Sequence, residues 1–104
     1  MDRHTWGNSQ SAINLTTILE RPEYKECSDR VCRVLSKYMA SMKAISYIPD
    51  KSTRETVLIM WHNRIVDSVD DLPEVVRTHF RCVAKGRLRQ LIRESQRRNN
   101  DRHE

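Results

Sequence analysis

The sequence predicts an all-α fold, a single small domain of three to four main helices closed by a basic carboxy-terminal helix. Three observations carry this. Only two glycines occur in 104 residues, too few for the tight turns and phosphate-cradling loops that lean on glycine. No stretch alternates apolar and polar residues with period two, and no Asn-Gly or Asp-Gly pair marks a hairpin. Apolar residues recur instead at intervals of three and four. A chain of this length holds one domain and buries roughly 60–70% of the surface its unfolded form exposes.

Residues 1–10 are polar and read as a flexible amino terminus, with Trp6 as their one anchor. They contain no apolar run of the secretory type, which predicts an intracellular protein of nucleus or cytoplasm. The helical domain is expected over 11–98, followed by a polar tail at 99–104. Residues 11–20, SAINLTTILE, form a short helix with Ile13, Leu15, Ile18 and Leu19 as its apolar side. Pro22 then reads as the first-turn proline of a long helix over 22–46, with Glu23 and Glu26 suited to its amino end. Such a helix would be roughly 37 Å long, enough to overhang a domain of ~13 Å radius of gyration. Its stripe of Val31, Leu35, Tyr38, Met39 and Met42 is therefore expected to be only partly covered by its own chain. That stripe would bind a protein partner or a second copy.

Pro49 keeps Ile48 out of the helical region, so residues 47–51 form a turn. Ser52-Thr53-Arg54-Glu55 has the order of a capping box, opening a helix with Val57, Leu58, Trp61, Ile65 and Val69 on one face. Asp70-Asp71 ends it. Asp71 and Glu74, with Pro73 between them, start a last helix over about 72–97, which Gly86 kinks or divides.

The charge is concentrated in this last segment. Residues 77–104 hold nine basic and three acidic residues, a net +6, while the rest of the chain carries −1. Arg77, Arg81, Lys85, Arg89, Arg93 and Arg97 fall at every fourth position, joined by Arg87, Arg98 and Arg102. Each step of four advances a side chain by about 40°, so the row winds through about 200° as a spiral stripe. One-sided charge of this kind points to a polyanion: nucleic acid or an acidic protein face. The competing reading is a solvated face, with some of the cations paired to acids at 67–74. Phe80 is the only aromatic ring after Trp61, so base stacking is not expected and nucleic-acid contacts would go to phosphates. The large apolar anchors of a membrane-lying helix are missing.

No catalytic signature is visible, and the sequence reads as non-enzymatic. His79 and Cys82 lie three apart and can share a helix face, with Cys27, Cys32, His62 and His4 as the other ligand types available. No CxxC or HxxxH pair accompanies them, so neither metal nor cofactor is expected. Three irregularly spaced cysteines do not make a disulfide framework. Met39, Met42, Met60 and Trp61 could form an adaptable peptide-binding surface or simply fill the core.

The run IPDKSTRETVL at 48–58 resembles the start of the last helix in the enhancer of yellow 2 family, through Pro49, Asp50, Arg54, Glu55, Val57 and Leu58. That resemblance implies a small helical adaptor in transcription and mRNA export. Glu26-Cys27, Val31-Cys32-Arg33 and Asp67-x-Val69-Asp70-Asp71-Leu72 are similar to segments of the enhancer of rudimentary homolog family. This second likeness implies a small nuclear dimeric adaptor with a sheet. The expected function is thus a nuclear adaptor whose basic helix contacts an acidic partner or nucleic acid. The alternative is direct binding of DNA or double-stranded RNA through its backbone, with little sequence specificity.

Overall fold

The computed structural model describes residues 6–7 and 9–101, the last three of them by backbone alone. Four α-helices follow the four apolar periodicities: α1 (Gln10–Leu19), α2 (Lys25–Ile45), α3 (Lys51–Ser68) and α4 (Glu74–Asp101). No strand occurs among the described residues, so the sheet implied by the second resemblance has no counterpart there. His4 and Arg102, with residues 1–5, 8 and 103–104, lie outside the described residues.

Ser9 begins α1 by accepting the Ala12 N–H on its hydroxyl at 3.2 Å. Ala12, Leu15, Ile18 and Leu19 then face inward. Ile13 does not: it sits about 200° from Leu15 on the helix and is exposed. Trp6, just before the helix, is buried and anchors the segment. The long helix expected from Pro22 starts later, because Pro22–Tyr24 form a 3-10 turn and α-geometry begins at Lys25.

The start of α3 differs from the capping box read in the sequence. Asp50 is the cap: its Oδ2 accepts the Thr53 amide at 2.8 Å and the Thr53 hydroxyl at 2.6 Å. Ser52 is exposed inside the first turn, and Glu55 reaches across to α4 instead. Aspartate caps as well as serine does, and the extended backbone after Pro49 places Asp50 first. Asp50→Ala should therefore lower the urea denaturation midpoint, Asp50→Asn should nearly restore it, and Ser52→Ala should leave it unchanged. The reverse order would return the cap to Ser52.

Asp71 likewise does not begin α4. Its carboxylate receives both terminal nitrogens of Arg30, at 2.6 and 2.8 Å, and clips α2 to the turn between α3 and α4. Gly86 does not divide α4, which continues unbroken to Asp101, beyond the expected boundary at 97–98. A methyl group at Gly86 would meet no atom within 4 Å. Gly86→Ala should raise stability by about 1 kcal/mol, the difference in helix propensity. A fall in the thermal midpoint would show that glycine is needed there.

Residue pairs give the topology. Arg30 meets Asp71 and Tyr38 meets His62, so α2 and α3 run antiparallel. Arg54 meets Ser95, so α3 and α4 run antiparallel as well. α1 packs mainly on α4, and α4 touches all three other helices. The core is a shared layer that includes Leu15, Val31, Leu35, Leu58, Val76 and Phe80.

The expectation that α2 leaves a face for a partner is corrected here. Val31, Leu35, Tyr38 and Met42 are 0% exposed and Met39 is 7% exposed. α3 and α4 of the same chain cover this stripe. The longest helix is α4, whose 28 residues make about 42 Å along a molecule with a long axis of 54 Å. The radius of gyration, 14.8 Å, correspondingly exceeds the ~13 Å of a compact domain of this size.

Candidate polyanion interface

The basic row divides into two groups on α4. The first is engaged by its own chain. Arg77 donates through Nη1 to the carbonyls of Asp70 at 2.8 Å and Leu72 at 3.4 Å. Arg81 pairs with the Asp70 carboxylate at 2.8 Å. Arg98 donates to the Ser46 carbonyl at 3.0 Å, tying the end of α4 to the α2–α3 connection. These three arginines pin the two ends of the α3–α4 hairpin. Arg87 stands apart: it is half-buried, on the flank of α4 that faces Trp6, and its Nη1 donates to Gln90 Oε1 at 3.1 Å.

The second group is Lys85, Arg89, Arg93 and Arg97. All four are exposed, and none makes a hydrogen bond or ion pair with a described residue. They rise about 6 Å per step and wind through about 120° around the helix. The continuity of α4 through Gly86 keeps this stripe unbroken. Beside it, between α3 and α4, runs a furrow lined by Ile59, Leu88 and Ile92, with Arg89, Arg93 and Gln96 on the α4 side and Glu55 on the α3 side.

Below the stripe lies a polar pair within the core. Tyr38 Oη is 2.8 Å from the Ala84 carbonyl and 2.8 Å from His62 Nδ1. The carbonyl can only accept, so it takes the single phenolic proton, and His62 must carry a proton on Nδ1. Burial, and then the charge of nearby Lys85, hold the His62 pKa below its usual value, which keeps the ring neutral at pH 7. Burial also raises the Tyr38 pKa, so the phenol stays protonated.

The residues weighed for metal binding or catalysis are placed in other roles. His79 Nδ1 bonds to the Val75 carbonyl of its own helix at 2.8 Å. Cys32 is buried, Cys27 half-buried and Cys82 exposed. No group of three or more histidine, cysteine or acidic side chains suited to a metal occurs among the described residues. Met39 and Met42 fill the core, Met60 is exposed, and Trp61 is half-buried with the Arg64 guanidinium 5.9 Å from its ring centre. No helix of the described residues is long and apolar enough to cross a membrane.

Two features escaped the sequence reading. Arg54 is a buried cation, 4% exposed, and Ser95 is buried beside it. The signal for it was spacing: Arg54 shares the four-three-four rhythm of Leu58, Trp61 and Ile65. The furrow had no local signal, because its two walls come from helices roughly thirty to forty positions apart in the chain. No protein-family model, no curated protein and no solved structure matches this chain.

Proposed function

We propose that this protein is a non-enzymatic interaction module, an intracellular adaptor acting in nucleus or cytoplasm. It engages an acidic partner through Lys85, Arg89, Arg93 and Arg97. One observation carries the reading. Arg77, Arg81 and Arg98 find acceptors in their own fold, whereas these four cations find none among the described residues. The fold does not need them, and they form one continuous stripe of positive charge. Direct nucleic-acid binding is the second reading. The exposed stripe has no aromatic ring, since Phe80 is fully buried, so that mode would rest on phosphate contacts alone.

The test exchanges the two groups. Replacing Lys85, Arg89, Arg93 and Arg97 by glutamine, which matches them in helix propensity, should leave the circular dichroism and the urea midpoint nearly unchanged. Affinity for an acidic peptide or a duplex should fall by about a hundredfold or more at low salt. For a duplex, the slope of log affinity against log salt should become shallower by about 0.9 for each phosphate that is no longer neutralised. Replacing Arg77 and Arg81 should do the opposite, lowering the midpoint with a smaller effect on binding. Full retention of affinity in the folded quadruple variant would end the proposal.

A further inference from the structure

From the furrow we infer that the occupant of this surface is an amphipathic helix from another protein. It carries acidic residues along the flank that faces α4 and uncharged or basic residues along the flank that faces α3. This rests on the reading of the basic stripe as a binding surface, and narrows the partner from any polyanion to one kind of protein segment.

Three features of the furrow carry the inference. Its floor is apolar: Leu88 and Ile92 are only partly covered by the core, and Ile59 is 47% exposed. A phosphate backbone offers nothing to fill such a floor, whereas apolar side chains at i, i+3, i+4 and i+7 do. Its walls differ in charge. Arg89 and Arg93 stand on the α4 side, with Lys85 one step further along the stripe, while the acid of the furrow is Glu55 of α3, half-buried with its carboxylate accepting the Ser95 hydroxyl. A nucleic-acid strand is negative along both edges and would meet Glu55. A helix with one acidic flank would not. The spacing also fits: the cations recur every four residues, about 6 Å apart, the same rise that separates i and i+4 carboxylates on a helix lying alongside.

Four ligands test this by fluorescence anisotropy on the full chain. The first is a helical peptide of about 18 residues with leucines at i, i+3, i+4 and i+7, glutamates on one flank and glutamines on the other. The second has serines in place of the leucines at the same net charge. The third and fourth are a DNA duplex and an RNA duplex. The leucine peptide should bind about tenfold or more tighter than the serine peptide. Ile59→Ser, a half-exposed position whose change alters no charge, should weaken the leucine peptide by a similar factor and leave duplex affinity within about twofold. Arg89→Ser with Arg93→Ser should weaken all ligands that bind.

Equal binding of the two peptides, with Ile59→Ser silent, would overturn the helix-in-furrow inference and leave the charged stripe as a general polyanion surface. Duplexes binding far tighter than the leucine peptide would overturn it in favour of nucleic acid. Failure of every ligand to bind the parent protein would overturn both this inference and the reading beneath it. A concentration-dependent dimer in sedimentation, dissociated by Ile59→Ser, would assign the furrow to a second copy and also overturn it.

Discussion

Arg54→Met is expected to destabilise the protein by about 3 kcal/mol or more, a large part of the 5–15 kcal/mol typical of a whole domain. The guanidinium is almost sealed from water and makes four hydrogen bonds. Its Nε donates to Ser95 Oγ at 2.8 Å, and its Nη2 to the Ser95 carbonyl at 3.3 Å. Its Nη1 donates to the carbonyls of Ile48 at 2.9 Å and Pro49 at 3.2 Å. One compensating charge, Glu55, is reached through the Ser95 hydroxyl, which donates to its carboxylate at 2.6 Å, and Asp50 supplies another. Apolar replacement of a buried ion pair is sometimes harmless, because both charged partners leave together. Here three of the four acceptors are main-chain carbonyls, of Ile48, Pro49 and Ser95, and they stay behind when the guanidinium leaves. Methionine keeps the apolar stem and approximate volume, so the loss isolates the hydrogen bonds. Lysine should recover only part of it, since one ammonium cannot span a fork of acceptors on two sides. Urea denaturation of the three proteins measures this. A methionine variant as stable as the parent would remove Arg54 from its structural role.

Leu35→Ala should lower stability by about 2–5 kcal/mol, the range for deleting a fully buried leucine side chain. The stripe of Val31, Leu35, Tyr38, Met39 and Met42 would behave differently if it were a docking face. Truncation would then leave the isolated protein's midpoint nearly unchanged and weaken only a complex. Leu35 is 0% exposed and lies within the shared core. The effect is therefore expected in the isolated chain, by thermal or urea denaturation without any partner. A stable Leu35→Ala variant would restore the partner-facing reading of α2.

These two residues show where sequence reasoning reaches and where it stops. The apolar spacing around Leu35 marks a face that must be covered, and such spacing placed all four helices and most of their inward positions. It does not say what covers the face. α3 and α4, further along the chain, do so, and the bonds from Tyr38 to His62 and to the Ala84 carbonyl record that approach. Arg54 was hidden for the opposite reason: its charge argued for solvent, while its position in the apolar rhythm argued for burial. The cap of α3 was misplaced by two residues because Asp50 and Ser52 are both good caps, and the backbone after Pro49 decides between them. The basic row was legible as a pattern. Its division was not fully so: Arg77 and Arg81 fold back on residues 70–72 within reach of a local reading, but Arg98 meets Ser46 from across the molecule.

The central claim is that the exposed half of the basic row, and not the half engaged by the fold, is the binding surface. Arginine side-chain NMR, following the Nε–Hε signals during titration with the acidic leucine peptide, tests it most directly. The signals of Arg89, Arg93 and Arg97 should shift together and saturate at one peptide concentration, while those of Arg77 and Arg54 stay in place. Shifts confined to Arg77 and Arg81, or spread evenly over every arginine, would contradict the claim.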